Sequence, residues 1–159
     1  MQKGVSDPPK GYHSVTPYMM VRGGIAALDF YAKAFGAEKT MQLDMPDGTL
    51  AHAEMRIGDS IVMLSAENEA WATKGPLTLG GSPMFLMIYV ADGDTAFARA
   101  IDAGATEVRP VADQFYGDRS GTLKDPFGHH WTLATHIEEV SAEEGQRRME
   151  AESARAAEG

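Results

Sequence analysis

Asp125-Pro126-Phe127-Gly128-His129-His130-Trp131-Thr132-Leu133 decides how this chain is read. Asp125 starts a turn, Pro126 presets φ, and Gly128 is free to take positive φ, so the first four residues form a tight connection between two strands. The residues after it alternate. His130, Thr132, Ala134 and His136 share one face, while Trp131, Leu133 and Thr135 share the other. One face suits a core and the other can line a pocket. The partner strand lies just upstream, in Gly117-Asp118-Arg119-Ser120-Gly121-Thr122-Leu123-Lys124.

Working back from this hairpin, residues 84–90 read as a strand and 95–103 as an amphipathic helix with Ala96, Ala100 and Ile101 inward, stopped by Gly104. Strands follow at 106–112, 119–124 and 129–137. The same grammar occurs earlier. A strand at 15–21 is broken by Gly23-Gly24. A helix over Ile25–Phe35 carries Ile25, Leu28, Tyr31 (or Ala32) and Phe35 along one side, and Gly36 caps it. Three strands at 40–45, 50–57 and 60–65 are joined by Asp-Gly and Gly-Asp turns. Val21 corresponds to Val90 and Gly36-Ala37 to Gly104-Ala105, an offset of 68 to 69 residues. That period is too long for a solenoid and indicates a duplicated βαβββ module. The organisation expected is a loose lead-in at 1–12, a domain at 13–140 with modules of about 13–66 and 83–140 joined by a linker at 67–82, and a polar helix or tail at 141–159 opening on the capping box Ser141-Ala142-Glu143-Glu144.

Composition bounds the function. The chain has 159 residues, 43% of them hydrophobic, enough for one domain with a proper core. A net charge of −9, with no basic cluster, argues against nucleic acid and anionic membranes as partners. No cysteine is present, so disulfides and thiolate chemistry are excluded. No apolar run reaches the roughly 18 residues of a membrane span, and no signal-peptide segment opens the chain, so a cytoplasmic location is expected.

Several further stretches then gain meaning together: Thr16-Pro17-Tyr18, Phe30-Tyr31 through Phe35-Gly36-Ala37, Gly117-Asp118-Arg119, and Asp125-Pro126-Phe127-Gly128-His129 through Ala134-Thr135-His136. With two βαβββ modules they resemble the vicinal oxygen chelate superfamily of glyoxalase I, bleomycin-resistance proteins and extradiol dioxygenases, and within it the PhnB-like subgroup. The resemblance covers about residues 13–140. It implies an α+β fold in which two tandem modules form curved mixed sheets around a cleft, usually completed in a homodimer. In metal-dependent relatives the ligands sit on the first and last strand of each module. The matching positions here are Thr16, Met63, Phe85 and Thr132, none of them His or Glu. Divalent ions favour carboxylate or imidazole, so neither a metal nor another cofactor is expected at these positions.

The site residues follow from alternation. Thr16, Tyr18 and Met20, His52 and Glu54, Ile61, Met63 and Ser65, Phe85, Met87 and Tyr89, and His130 and Thr132 face the pocket, a mostly apolar surface with a few polar groups suited to a small molecule. His52 and Glu54, two apart on a strand, share a face. They are read as polar wall residues, as a proton-transfer pair, or, with His130 or His136, as a clamp for a divalent metal. Arg119 is either a ligand-binding fork or an ion pair between neighbouring strands. Tyr116, Phe115 and Trp71 are candidates for an aromatic rim, and His129 for a structural role beside the turn. A small-molecule binding protein is the leading reading; a lyase, isomerase or dioxygenase-type enzyme using His52 and Glu54 is the alternative.

Overall fold

The structure is a computed structural model that describes residues 6–157. Two four-stranded sheets follow one plan. In the first, β1 (Tyr18–Val21), β2 (Glu38–Asp44), β3 (Leu50–Ile57) and β4 (Ser60–Ala66) lie in the order β1-β4-β3-β2. In the second, β5 (Phe85–Tyr89), β6 (Thr106–Asp113), β7 (Asp118–Lys124) and β8 (His130–His136) lie in the order β5-β8-β7-β6. The first and last strands of each module pair in parallel and the others antiparallel, so both sheets are mixed. The duplicated α+β architecture read from the sequence is present. The β1 ladder starts at Tyr18 rather than at 15, because Pro17 has no N–H to offer it.

Helix α1 (Ile25–Phe35) ends where Gly36 takes a left-handed φ of 66° and donates its N–H to the Ala32 carbonyl. Its buried surface is wider than the single stripe expected: Ala27, Leu28, Phe30, Tyr31, Ala34 and Phe35 are all buried, while Ile25 is 44% exposed. The reason is its position between the two modules. Phe35 lies 4.7 Å from Trp131, and Phe30 lies 6.0 Å from Phe127, each pair joining α1 to the second module. Such aromatic pairs contribute about 0.5–1.5 kcal/mol beyond area burial. The short helix α2 (Pro76–Leu79) and a 3₁₀ turn at Glu69–Trp71 occupy the linker. Helix α3 (Gly93–Asp102) begins two residues before its expected start because Asp92 caps it, accepting from the Thr95 N–H at 3.0 Å. Phe97, absent from the expected inner face, is buried with Ala96 and Ala100.

The turn that opened the reading fastens the modules together. Asp125 is 3% exposed, and its carboxylate accepts four hydrogen bonds. Oδ1 takes the backbone N–H groups of Phe127 and His129, each at 2.9 Å. Oδ2 takes the Tyr31 hydroxyl from α1 at 2.7 Å and the Trp131 indole N–H at 2.8 Å. The neighbouring His129 donates from Nε2 to the Met20 carbonyl on β1 at 2.9 Å, the structural role expected of it. One continuous core results, built from the helices and the helix-side faces of both sheets.

Helix α4 (Ala142–Ala157) starts with the expected cap, the Glu144 N–H donating to Ser141 Oγ at 3.2 Å. It buries no residue, and Arg148 ties it to Glu138 and to the Phe115 carbonyl.

Candidate functional site

Because the sheets share a core through their helix-side faces, their opposite faces look away from it. The residues expected to line one cleft are therefore divided between two sheet faces, which approach each other only around β1 and β5.

The first wall is built on β1, β3 and β4. Cross-strand register sets Tyr18 beside Met63, and Met63 beside Glu54. Glu54 is only 6% exposed. Its carboxylate accepts from His52 Nε2 at 3.2 Å on one oxygen and from the Tyr12 hydroxyl on the other. With Nε2–H committed to Glu54, His52 Nδ1 is the acceptor for the Tyr18 hydroxyl, 2.9 Å away. A Tyr18–His52–Glu54 chain results, its Tyr18 end 47% exposed. Such a chain can relay a proton between a bound molecule and a buried carboxylate. The bond to Glu54, reinforced by desolvation and the carboxylate's charge, raises the Tyr12 phenol pKa above its ordinary value. Tyr12 belongs to the segment read as a loose lead-in; this contact holds it against β3. Thr16 lies just before β1, with its hydroxyl donating to the His13 carbonyl at 3.1 Å.

The second wall is built on β5, β7 and β8. Phe85, Met87 and Tyr89, at alternate positions of β5, are 50%, 46% and 61% exposed. Behind them lie buried hydroxyls: Ser120, Thr122 and Thr132, the last two sharing a hydrogen bond of 3.0 Å. Phe85 stacks on His130 with ring centroids 4.9 Å apart, and the Arg109 guanidinium lies 5.9 Å from the Phe85 centroid. At the far end, buried Asp118 accepts from the Tyr89 hydroxyl at 2.9 Å and from His136 Nδ1 at 2.8 Å. These bonds raise both pKa values; for His136 the Asp118 bond is the larger cause and the contact with Glu139 the next. Tyr116 stands at the rim, 40% exposed, its hydroxyl 3.4 Å from Ser120 Oγ.

Two expectations need correction. Arg119 points away from the second wall, because alternation that turns Asp118 inward turns Arg119 toward α3. It forms a bidentate pair with Asp94 at 2.7 and 2.8 Å and a further bond to Asp113 at 2.9 Å, which raise its pKa. Of the two roles considered for it, the ion pair is the one the geometry holds. The metal clamp from His52 and Glu54 with His130 or His136 does not assemble either, since the latter two sit on the other sheet. The four positions that carry ligands in metal-dependent relatives do not fit a divalent ion. Thr16 and Met63 lie on the first wall, Phe85 and Thr132 on the second, and both threonine hydroxyls have protein partners. Among the described residues no three His, Cys, Asp or Glu side chains come together as a metal site.

Sequence reasoning missed Tyr12, Asp118 and Arg109. Alternation along β7 could have found Asp118, since it shares a face with Ser120 and Thr122. No pattern in the irregular stretch before β1 points to Tyr12.

Fold and walls together define a duplicated βαβββ protein with two outward sheet faces. The chain belongs to the Glyoxalase/Bleomycin resistance protein/Dioxygenase superfamily, whose family model matches residues 16–133. It is 40% identical over 139 residues to the uncharacterized protein Mb0911c of Mycobacterium bovis, covering 86% of this chain and 91% of that protein. Among solved structures, TioX from Micromonospora sp. ML1 superposes with a TM-score of 0.62 at 26% identity, covering 77% of this chain and 98% of TioX. A glyoxalase/bleomycin resistance protein/dioxygenase family enzyme from Burkholderia phytofirmans PsJN has the same fold, with a TM-score of 0.62 at 20% identity over 77% of this chain and 97% of its own. Among the described residues no helix is long and apolar enough to cross a membrane.

Proposed function

We propose that this chain is a PhnB-like small-molecule binding protein that takes a flat, largely apolar ligand against the second wall, with a second copy of the chain closing that wall into a cleft. One observation carries the reading: Phe85, Met87 and Tyr89 stand half exposed in a row over buried hydroxyls. Apolar surface of this kind, with a few placed polar groups behind it, is the composition of a small-ligand site, and contiguous exposed apolar side chains favour coverage by a partner. The test is a ligand panel followed by methyl NMR on labelled methionine, with sedimentation to read the oligomeric state. Saturable shifts at Met87 that Phe85→Ala abolishes, in a dimer that Tyr89→Lys dissociates, are the expected result. A monomer with no Met87 response to any flat ligand would sink the reading.

The Tyr18–His52–Glu54 chain favours a second reading, acid–base catalysis on the first wall. Turnover of an oxygenated substrate that His52→Ala and Tyr18→Phe each abolish, with the fold intact, would establish it; binding without turnover would leave the first reading alone.

A further inference from the structure

A cavity of about 190 Å³ lies where the two modules meet, beside the Phe85 end of the row of exposed side chains on β5. β1 contributes Tyr18, Met19 and Met20, β5 contributes Leu86, and the linker from Lys74 to Met84 supplies most of the rest. The linker is held close. A Cβ on Gly75 would meet the Met20 carbonyl oxygen at 2.6 Å, and one on Gly128 would meet Pro76 Cβ at 2.8 Å. Glycine at these positions lets the linker sit directly on β1 and on the turn before β8, so the hollow is preformed rather than left by a loose loop.

Most of its lining is apolar: Met19, Met20, Leu79, Pro83, Met84 and Leu86. Two side chains that line it carry a polar group without a partner among the described residues. Lys74 forms no ion pair or side-chain hydrogen bond among the described residues. His130 Nδ1 is the one buried side-chain nitrogen or oxygen among the described residues with no hydrogen-bond partner. The other polar side chains there differ. His129 is committed to the Met20 carbonyl and Tyr18 to His52. Buried polar groups are rarely left unpaired, and an exception calls for a reason. An unpaired cation on an apolar hollow, in a chain of net charge −9, forms a local site for the anion that the protein as a whole repels.

We propose that this cavity binds a small apolar carboxylate of about benzoate size, with Lys74 as counter-charge. The volume sets the size class, since drug-sized ligands need about 300–1,000 Å³. The charge sets the head group, since an ammonium on an apolar rim forms a strong charge-assisted bond to a carboxylate. The site adjoins the ligand row on β5, since His130 lines it and lies against Phe85.

The test uses the full chain with methyl-labelled methionine, titrated with benzoate and with the neutral isostere benzamide. Met84 reports the cavity and Met87 the β5 row, so failure here and failure of the proposed function are read at different signals. Saturable benzoate shifts at Met84 are expected, with benzamide weaker by about tenfold or more, the loss that goes with a charge-assisted hydrogen bond. Lys74→Met should reduce benzoate to the benzamide level and Lys74→Arg should retain binding; Lys74 is exposed, so neither variant threatens the fold. The proposal is overturned by an absence of saturable Met84 shifts, by equal affinity for benzoate and benzamide, by Lys74→Met binding as wild type, or by shifts confined to Met87.

Discussion

Replacing Asp125 by alanine removes the acceptor for four donors at once: the Tyr31 hydroxyl, the Trp131 indole N–H and two backbone N–H groups. A buried donor left unpaired costs about 1–3 kcal/mol. The effects overlap because the donors share one carboxylate, and water can reach part of the turn, so simple addition overshoots. A net loss of about 4 kcal/mol follows. That is a large fraction of the roughly 5–15 kcal/mol stability of a typical domain. At about 2–4 °C per kcal/mol for a chain of this size, Tm falls by about 8–16 °C. Asp125→Asn keeps an oxygen for the backbone N–H pair but sets an amide NH₂ against Tyr31 and Trp131, so about half the loss is expected. Tyr31→Phe removes one partner and leaves the carboxylate three others, a loss of about 1 kcal/mol. Urea unfolding followed by circular dichroism and tryptophan fluorescence reads all three. A loss below about 1 kcal/mol for Asp125→Ala would refute the reasoning, as would Tyr31→Phe matching it in size.

The Tyr31 phenol has its pKa raised well above the ordinary value, first by burial and then by Asp125. A raised value in the folded state means the contribution is complete below the unfolded pKa of about 10 and is lost as pH rises through the folded value. Stability should therefore fall above about pH 10, and Tyr31→Phe should make that slope shallower in alkaline unfolding series, leaving the part due to Tyr12 and Tyr89. His136 is also raised, by Asp118 first, so its contribution is complete below about pH 6.5 and fades above it. His136→Gln should flatten the pH dependence of the midpoint between about pH 6 and 8; an unchanged slope would remove the Asp118 contact from the account. At Gly121 a Cβ would meet Val111 Cγ2 at 2.8 Å and Phe97 Cε2 at 2.9 Å. Gly121→Ala should cost about 1–3 kcal/mol by overpacking, measured by thermal melts, and a neutral result would show that α3 shifts freely. Arg119→Met should lower Tm while leaving ligand-induced methionine shifts intact, and loss of those shifts would return Arg119 to the binding surface.

Strand and helix identities were legible because period and punctuation agree along the chain. Leu50–Ile57 and Ile25–Phe35 have the bounds read from their turns and glycines. Alternation also placed Phe85, Met87 and Tyr89 together on one face. Packing between distant segments was illegible. Nothing local shows that α1 meets Trp131, and so the burial of Phe30 and Ala34 escaped a single-stripe reading. Pattern likewise tells which side of a strand a residue takes but not what that side faces. The expected cleft residues alternate as read, yet His52 and His130 lie on different walls because a shared core turns the two sheets outward. Arg119 was left open between two roles for a smaller reason: only the structure shows that its neighbour Asp118 holds the inward position.

The clasp at Asp125 has a consequence for synthesis. Tyr31 and Phe35 leave the ribosome long before Asp125 and Trp131, so the first repeat emerges with its helix unmatched and waits for the last hairpin. The repeats are alike in plan but not self-sufficient. A chain cut within the linker should yield halves that are poorly ordered apart and regain structure when mixed, and a nascent chain stalled before the final hairpin should remain sensitive to protease throughout its first repeat.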